Sequence, residues 1–286
     1  METRLLVIEA LSPLHAGTGQ AVDVIDLPVA REKTTGWPVI PGSSLKGILR
    51  DALDDNTGAA LSVFGPRNPG SAGDSAGLVS FGDARILSLP VRSYFGTFAW
   101  TTCPSVLLRF NRDLKAAGQN DLRGFPTSMA MAAGHAASGS ALLRNGKAYL
   151  EDLDVGVEES IDATMLERLG SMLFTDPEWQ NSFRERFLLI SDDLFTGFTE
   201  TATEVCARIR LQEDSKTVQS GGLWYEEAVP SGTLFWSILV ALPADKTRCS
   251  SLLAHIKPEN IRTLQIGGNA SVGRGLAQLH MLGNPS

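Results

Sequence analysis

The spacing of apolar residues along the chain predicts an alternation of strands and helices. Short apolar runs bounded by turn residues predict five strands. These are Arg4–Ala10, Leu78–Leu87, Val205–Leu211, Gly222–Val229 and Thr233–Leu242. Intervals of three and four residues, typical of an amphipathic helix, relate Leu45, Ile48, Leu49, Ala52 and Leu53. Ser43 or Ser44 is the expected N-cap of this helix, because a serine hydroxyl accepts backbone N–H groups there.

Three more helices and no regular βαβ rhythm are expected in the rest of the chain. One helix begins near Ser105, a second spans Ile161–Leu173, and a third spans Pro177–Arg186 with Asp176 as its cap. Since strands and helices intermix irregularly, an α+β fold is favoured over a doubly wound sheet. Residues 1–286 are interpreted as one domain with insertions.

Several segments are expected to be loops or turns. Ser12–Lys33 is a long loop after the first strand, and Gly65–Gly77 is a turn-forming loop. Pro126–Ser140 is rich in alanine, glycine and methionine and is interpreted as a mobile insertion. Asn145-Gly146 predicts a hairpin, because this dipeptide accepts the positive φ angles of a type I′ turn.

Composition and charge narrow the functional classes. The chain has 25 Lys and Arg against 32 Asp and Glu, a net charge of −7, so a general nucleic-acid coat protein is disfavoured. Nucleic-acid binding would have to rest on local cations. Three scattered cysteines and four scattered histidines argue against a disulfide framework or a zinc site. No apolar run reaches the ~18 residues of a membrane span, and no signal peptide is evident, so a cytoplasmic location is expected.

The predicted helix after Pro41 is a candidate phosphate-binding site. A helix N-terminus offers unpaired N–H groups and partial positive charge, which favour an anion. Lys46 and Arg50 are four residues apart, so both cations project from one face beside that terminus. An ordinary surface helix with solvated cations fits the same spacing equally well.

A glycine-rich loop at Gly267–Gly275 is a second candidate. No Gly-Lys-Ser/Thr follows, which excludes a Walker A loop, and only about 11 residues remain, too few for a ~30-residue dinucleotide-binding unit. A loop able to wrap a nucleic-acid backbone remains, with Arg274 as its cation. In isolation, a tight turn between two elements is the favoured interpretation.

The long first loop holds groups suited to acid–base or metal chemistry. His15, Asp23 and Asp26 share this segment, where a rigid sheet would position them. A carboxylate there would bind a divalent cation or act as a base, although two aspartates and a histidine are commonplace in loops.

The predicted strand at Gly222–Val229 would present a phenol and a carboxylate on one face. Alternation places Tyr225 and Glu227 on that face, and Trp224 and Glu226 on the other. The alternative is a half-exposed edge strand with Trp224 turned toward the core.

The order of these segments resembles the RAMP superfamily of CRISPR proteins. The shared segments are Leu14–Gly19, Asp26–Glu32, Pro41–Gly47 and the closing glycine-rich loop. Two more specific segments, Phe98–Pro104 and Leu223–Pro230, are similar to the backbone subunit of type III-B (Cmr) effector complexes. The resemblance touches both termini and the middle of the chain.

The resemblance implies a ferredoxin-like, RRM-related palm with a helical insertion at about residues 90–150. A β-hairpin thumb is expected between about Leu188 and Gly222. Copies of the chain would stack along the guide CRISPR RNA into a helical filament with the other subunits, and each thumb would displace a base pair of the guide–target duplex. No membrane partner is implied.

The resemblance also implies a metal-dependent endoribonuclease that cuts target RNA beside the displaced nucleotide. Asp26 is the expected catalytic residue and ligand of Mg²⁺ or Mn²⁺, with Asp23 as its competitor. His15 is expected to accept or donate a proton, with Tyr225 and Glu227 as helpers. The expected RNA-binding residues are Ser43, Ser44, Lys46, Arg50, Gly267, Gly268, Asn269, Gly273 and Arg274.

Splaying a nucleotide out of a duplex costs a few kcal/mol and breaks A-form geometry locally. It can also align a 2′-hydroxyl with the neighbouring phosphorus, so transesterification to a cyclic phosphate is the hypothesis. Two alternatives stay open within the same superfamily: a non-catalytic RNA-binding backbone subunit, and a guide-processing endoribonuclease. A small-molecule enzyme is a distant third, because the sequence has no cofactor motif.

Overall fold

A computed structural model describes residues 1–17, 19, 25–53, 58–67, 76–119, 122, 124–126, 131–242, 246–256 and 263–282. Its helices are α1 (Gly42–Leu53), α2 (Gly58–Phe64), α3 (Pro104–Ala116), α4 (Ala163–Leu173), α5 (Pro177–Arg186), α6 (Asp192–Thr201) and α7 (Lys246–His255). Within these ranges, none of the helices is long and apolar enough to span a membrane.

Fifteen strands are found in the described residues. The first eight are β1 (Glu2–Ala10), β2 (Val39–Ile40), β3 (Val79–Phe81), β4 (Ala84–Arg92), β5 (Phe98–Thr102), β6 (Gly134–Ala137), β7 (Leu143–Arg144) and β8 (Lys147–Leu150). The others are β9 (Leu153–Ile161), β10 (Phe187–Leu189), β11 (Glu204–Leu211), β12 (Val218–Ala228), β13 (Leu234–Ala241), β14 (Leu264–Gln265) and β15 (Leu276–Leu282).

Thirteen strands form one mixed sheet in the order β14-β15-β1-β13-β4-β5-β10-β6-β9-β8-β7, with β2 on β4 and β3 on β13. β1 pairs antiparallel with both β13 and β15. Leu5, Leu6, Val7 and Ile8 are completely buried, so both faces of β1 are covered. Burial of both faces explains why the sequence of β1 is a continuous apolar run rather than an alternation of apolar and polar residues.

The strands β11 and β12 form a separate two-stranded antiparallel hairpin. Its bounds differ from the segment expected at about residues 188–222, because Leu188 lies in β10 within the large sheet. Helix α6, which the sequence analysis did not predict, occupies Asp192–Thr201 between β10 and the hairpin. The predicted strands Val205–Leu211 and Gly222–Val229 correspond to β11 and the second half of β12.

The start of α1 differs from the prediction. The helix begins at Gly42, so Ser43 and Ser44 lie inside its first turn and are exposed, and neither is the N-cap. The Gly42 N–H group instead donates to Asp83 Oδ1 at 2.8 Å. A Cβ atom on Gly42 would lie 2.3 Å from the Phe81 carbonyl oxygen, so only glycine allows this close approach.

Two other segments also differ from their predictions. Leu78–Leu87 is divided between β3 and β4, since Gly82 leaves the strand and its N–H group bonds to the Ile238 carbonyl at 2.9 Å. Gly134–Ala137 is not a mobile insertion, because it forms β6 between β10 and β9. Residues 127–130 of that segment lie outside the described residues.

Local capping and turn predictions are confirmed. Asp176 caps α5 through the N–H groups of Glu178 and Trp179. Asn145 and Gly146 have φ angles of 54° and 71° and connect β7 to β8. These features rest on contacts within a few residues, which the sequence displays directly.

Candidate nucleic-acid interface and cleavage site

The second half of β12 and Val229, the residue directly after it, hold both ends of the long first loop. Leu14 exchanges two backbone hydrogen bonds of 2.9 Å with Val229. The Leu27 N–H group donates to the Tyr225 carbonyl at 3.1 Å, and the Glu227 N–H group donates to the Leu27 carbonyl at 2.9 Å. The loop therefore leaves and returns on the strand that continues outward as the hairpin.

Asp26 lies at the base of this hairpin. Its Oδ2 atom accepts a hydrogen bond of 2.8 Å from the Tyr225 N–H group, and the residue is half-buried. The Tyr225 side chain is 41% exposed. The structure therefore brings together two predicted site residues that are 199 positions apart. Asp23, the predicted competitor, lies outside the described residues.

His15 lies beneath the loop rather than on its surface. It is only 8% exposed, and its Nδ1 atom is 2.6 Å from the Glu227 carbonyl oxygen. Since the carbonyl can only accept, Nδ1 carries the proton in this contact. The Gly17 backbone lies against Nε2, where a Cβ atom would be 2.5 Å away. These contacts suit a residue that positions the loop.

Glu227 is not presented to solvent beside Tyr225, as the strand pattern predicted. It is 2% exposed, with Oε1 2.5 Å from the Arg31 guanidinium and Oε2 accepting the Val29 N–H group at 2.9 Å. Arg31 also donates to the Thr199 carbonyl in α6 at 3.0 Å. The strand enters the core between Tyr225 and Glu227, so this carboxylate is engaged in structural bonds.

Glu226 is the residue that sequence reasoning missed. Its Oε2 atom accepts from Asn269 Nδ2 and Arg208 Nε, both at 3.0 Å, and its Oε1 atom accepts from Trp224 Nε1 at 2.9 Å. Burial raises the pKa of Glu226, but the bonds from Trp224 and Arg208, the Arg208 charge and nearby His15 outweigh burial, so its pKa lies below the usual value. Glu226 thus joins the hairpin to the glycine-rich loop.

The glycine-rich loop packs directly on the first loop. Gly268 donates its N–H group to the His15 carbonyl at 3.0 Å, and Gly267 has a φ of 80°. Asn269 and Gly273, with φ angles of 66° and 79°, flank a short 3-10 turn at Ala270–Val272. The glycine-rich loop is therefore packed closely against the His15 backbone.

Arg274 does not project as a surface cation. It is 9% exposed, and its guanidinium lies 3.1 Å from Cys206 Sγ and 3.8 Å from a carboxylate oxygen of Glu204. Both partners are in β11, so Arg274 fastens the loop to the base of the hairpin. Binding of a phosphate by Arg274 stays a prediction, and it would have to occur from this largely buried position.

A separate open cleft of about 560 Å³ lies beside the start of α1. Its lining residues are Ser43, Lys46, Gly47, Arg50, Phe64, Gly65, Pro66, Arg67, Ala76 and Gly77. Lys46 is half-buried and has no ion-pair partner among the described residues. The cleft is therefore suited to an anion, and exposed Ser43 adds a hydroxyl to its rim.

Arg50 is largely occupied by the protein itself. Its guanidinium donates to the carbonyls of Phe64 and Gly65 and lies 5.8 Å from the centre of the Phe64 ring. The Arg50 charge contributes to the field of the cleft, but its hydrogen bonds stabilise the end of α2. Lys46 is accordingly the better candidate for direct phosphate contact.

The described residues do not form a complete metal-binding site of their own. Within those ranges, no group of three or more His, Cys, Asp or Glu side chains could hold a metal ion. Asp26 supplies one carboxylate, of which one oxygen is bonded to Tyr225. Mg²⁺ commonly binds through one or two carboxylates together with substrate phosphates, so this donor set fits a cation that arrives with RNA.

Comparison with known proteins identifies relatives along nearly the whole chain. The sequence model of the RAMP superfamily matches residues 7–278. "CRISPR system Cmr endoribonuclease Cmr4" of Pyrococcus furiosus is 37% identical over 293 residues, covering 98% of this chain and 95% of the relative. "CRISPR system CMR subunit Cmr4" of Saccharolobus solfataricus is 25% identical over 301 residues, covering 96% and 95%.

Solved structures agree with the architecture. The crystal structure of oligomeric Cmr4 from Pyrococcus furiosus superposes with a TM-score of 0.77, at 29% identity and 98% coverage of both chains. A chain of the apo type III-B Cmr-beta structure also has a TM-score of 0.77, covering 100% of this chain and 99% of its own. At 23% identity, that second likeness concerns the fold alone.

Replacing Gly267 with alanine is expected to disrupt the contact between the two loops. The new Cβ atom would lie 2.0 Å from the His15 carbonyl oxygen, at a φ of 80°. We expect a loss of at least about 2 kcal/mol in the free energy of unfolding, measured by chemical denaturation. Gly268→Ala is the matched control, since its Cβ atom would make an ordinary 3.6 Å contact with the His15 ring. Equal stability of the two variants would contradict the close apposition.

Proposed function

This chain belongs to the RAMP superfamily, and within it to the Cmr4 family, so we propose that it is an RNA-cleaving backbone subunit of a type III-B CRISPR complex. In this role copies of the chain bind guide RNA side by side, together with the other subunits, and cut target RNA that pairs with the guide. The named activity of the Pyrococcus furiosus relative supports cleavage, and the oligomeric crystal structure supports assembly from copies.

We propose that part of the large sheet is a ferredoxin-like palm. The order β15-β1-β13-β4 is antiparallel throughout, with α1 between β1 and β4 and α7 between β13 and β15 along the chain. This arrangement supports the palm interpretation. The hairpin β11–β12 then corresponds to the thumb, and α3 with β5 to β8 corresponds to the helical insertion at about residues 90–150.

The contact of Asp26 with the hairpin base is the single observation that carries the proposed cleavage mechanism. The hairpin presents large apolar side chains that are 41–54% exposed: Val205, Ile209, Leu211, Val218, Leu223 and Tyr225. Strand register sets Ile209 opposite Leu223, so the exposed groups share one face. Such a face can pack against bases that lose their own stacking partners, which offsets part of the cost of splaying them.

The displaced nucleotide would therefore lie next to Asp26. Splaying frees its 2′-hydroxyl to align with the neighbouring phosphorus, and Asp26 accepts the hydroxyl proton or orients the hydroxyl. Tyr225 would flank the splayed base, and buried His15 would keep the loop in register through Glu227. We therefore assign His15 and Glu227 positioning roles. The 2′-oxygen bonds to phosphorus as the bond from phosphorus to the 5′-oxygen of the next nucleotide breaks, and that oxygen takes up a proton from solvent. The expected product ends are therefore a 2′,3′-cyclic phosphate and a 5′-hydroxyl.

We propose that Asp26 is the residue of this chain that would hold a divalent cation when RNA is bound. The single carboxylate at this position and the lack of a described three-ligand cluster support a cation that binds only with RNA. Such a cation would neutralise phosphate charge near the scissile bond.

Guide RNA would bind along the cleft beside α1. Lys46 is its half-buried cation, and the exposed Ser43 and Ser44 hydroxyls add neutral hydrogen bonds. The net charge of −7 is compatible with this interaction, because each copy contacts only a short stretch of RNA.

Two substitutions of Asp26 distinguish a role in catalysis from a role in holding the first loop in place. In the assembled complex with guide and matched target RNA, we expect Asp26→Ala and Asp26→Asn each to slow cleavage by at least about 10²-fold, because neither can accept the proton. Asparagine retains an oxygen that can accept the Tyr225 N–H group, so Asp26→Asn is the matched control for loop position. Cleavage rates and product ends are measured by gel electrophoresis and mass spectrometry.

A near-normal rate for Asp26→Asn with a slow Asp26→Ala variant would mean that Asp26 acts only as an anchor. Such a result would assign the proton-accepting role to another residue and leave Asp26 a positioning role. Assembly of both variants, measured by size-exclusion chromatography, distinguishes lost chemistry from lost structure.

Replacing Lys46 is expected to weaken guide binding through charge alone. For Lys46→Ala, we expect weaker guide-RNA affinity and a salt-dependence slope reduced by about 0.7, the value for one contact with a single-stranded phosphate. Fluorescence anisotropy at several salt concentrations measures both. Lys147→Ala is the charge-matched control, because Lys147 pairs with Asp154 near the far edge of the sheet. An identical effect of both variants would argue against a specific role of the cleft.

A further inference from the structure

A second cleft lies on the molecule away from the residues assigned above. It has a volume of about 290 Å³ and is enclosed by the ends of β1 and β15 and by the connection from α4 to α5. Its lining residues are Glu9, Leu11, Leu173, Phe174, Thr175, Asp176, Trp179, Gln278 and His280. Neither lysine nor arginine is among them, in contrast to the cleft beside α1.

An aromatic wall forms one side of this cleft. The Trp179 side chain is 49% exposed and stacks on Phe174, with ring centroids 6.4 Å apart and planes inclined by 20°. Its other neighbour, Trp100, is buried in the core and contacts it edge-on at 6.1 Å. Asp176 accepts the Trp179 N–H group at 3.3 Å, so the backbone beneath the indole is held as well. The indole is thus held in place while part of its surface stays open.

The opposite side carries a carboxyl group without a counter-ion. Glu9 is half-buried in β1, between Leu234 of β13 and Gln278 of β15. Its side chain has no hydrogen bond or ion pair among the described residues. Burial raises the pKa of Glu9 to about 7. Asp176, the other carboxyl in the lining, adds charge of the same sign.

The histidine in the cleft does not supply the missing positive charge. His280 Nε2 is 2.6 Å from the Met172 carbonyl oxygen and therefore donates its proton there. Burial lowers the pKa of His280, although the Met172 carbonyl opposes this, so the ring is neutral at pH 7. Among the described residues that line the cleft, His280 and Asp176 are the only other titratable groups, and neither supplies a positive charge to an ionised Glu9.

We infer that this cleft binds a guanidinium or alkylammonium cation. Ionised Glu9 and Asp176 provide the charge, and the open face of Trp179 provides the π surface that cations prefer. The apolar side chains of Leu11 and Leu173 suit the alkyl stem that accompanies such a head group. The two carboxyl groups disfavour a phosphate in this cleft, whereas the cleft beside α1, which contains Lys46, is suited to an anion.

Two sources can present this chemistry: an arginine or lysine side chain of a neighbouring subunit, or a free polyamine. A guanidinium offers a planar fork and stacks on indole, whereas a polyamine carries several separated charges. A nucleobase, the other ligand that stacks on tryptophan, is uncharged near pH 7, so charge attraction to ionised Glu9 would not strengthen its binding. A strong rise in affinity between pH 6 and pH 8 therefore distinguishes a cation from a base.

Isothermal titration calorimetry on the full chain tests the inference. The probes are N-acetylarginine amide, whose one charge does not titrate near pH 7, spermidine, and adenosine. We expect a cation to bind about tenfold more tightly at pH 8 than at pH 6, because the ionised fraction of Glu9 falls from about nine-tenths to one-tenth around a pKa of about 7. Tighter binding of N-acetylarginine amide indicates a side chain, and tighter binding of spermidine indicates a polyamine.

Two variants and a control complete the test. Glu9→Gln should weaken cation binding at pH 8 by about tenfold and remove its pH dependence, while Trp179→Ala should weaken it severalfold at both pH values. Glu178→Gln removes an exposed charge next to the cleft and should leave affinity unchanged. No cation binding at millimolar concentrations, equal binding by wild type and Glu9→Gln, or adenosine binding that tightens at pH 6 would each overturn the inference.

Discussion

The attachment of the first loop to β12 is the interaction on which the candidate site depends. Within five residues of one strand, the backbone groups of Tyr225, Glu227 and Val229 bind both ends of the loop. The buried Glu227 carboxylate then bonds to Arg31 and to the Val29 N–H group. A buried carboxylate is stable only with such partners, so this segment tolerates little movement. Asp26 gains its fixed position from this attachment.

The same strand, β12, continues outward as part of the hairpin. Asp26 is therefore attached directly to the base of the hairpin. Glu226, one residue from the anchor, bonds to Arg208 on the hairpin and to Asn269 in the glycine-rich loop. Arg274 returns from that loop to β11. Three segments distant in sequence therefore meet at the hairpin base, and the position of a nucleotide displaced by the hairpin is linked to the position of Asp26. On the proposed function, this link explains why cleavage would occur beside the displaced nucleotide.

Features with local causes could be predicted from the sequence, whereas those with distant causes could not. The periodic apolar face of α1, the Asp176 cap and the Asn145-Gly146 turn each depend on neighbours within a few residues. The start of α1 depends on Asp83, 41 positions away, so the serines were assigned as caps in error. Composition alone suggested a mobile insertion where β6 finds its partners in β9 and β10.

The same distinction applies to the site. Asp26 and Tyr225 were identified by their motifs, but sequence patterns could not reveal that Tyr225 holds Asp26. Glu227, Arg50 and Arg274 are charged residues in suggestive positions, and each is bonded to groups that only the fold brings near. Arg31 is 196 positions from Glu227, and no local pattern reports such a pair. Alternation places Glu226 on the same face as Trp224, but no local pattern shows that Arg208 and Asn269 bond to it there.

The most direct test of the account is a cryo-electron microscopy structure of the assembled complex with guide RNA and a target carrying a 2′-deoxy nucleotide at the cleavage position. The account predicts that the Asp26 carboxylate lies within about 3 Å of the point where the missing 2′-oxygen would sit on that ribose, or within about 6 Å with one bridging water. The hairpin should hold the adjacent nucleotide out of the duplex. An Asp26 carboxylate more than about 10 Å from every scissile linkage, with another acidic side chain in its place, would contradict the account.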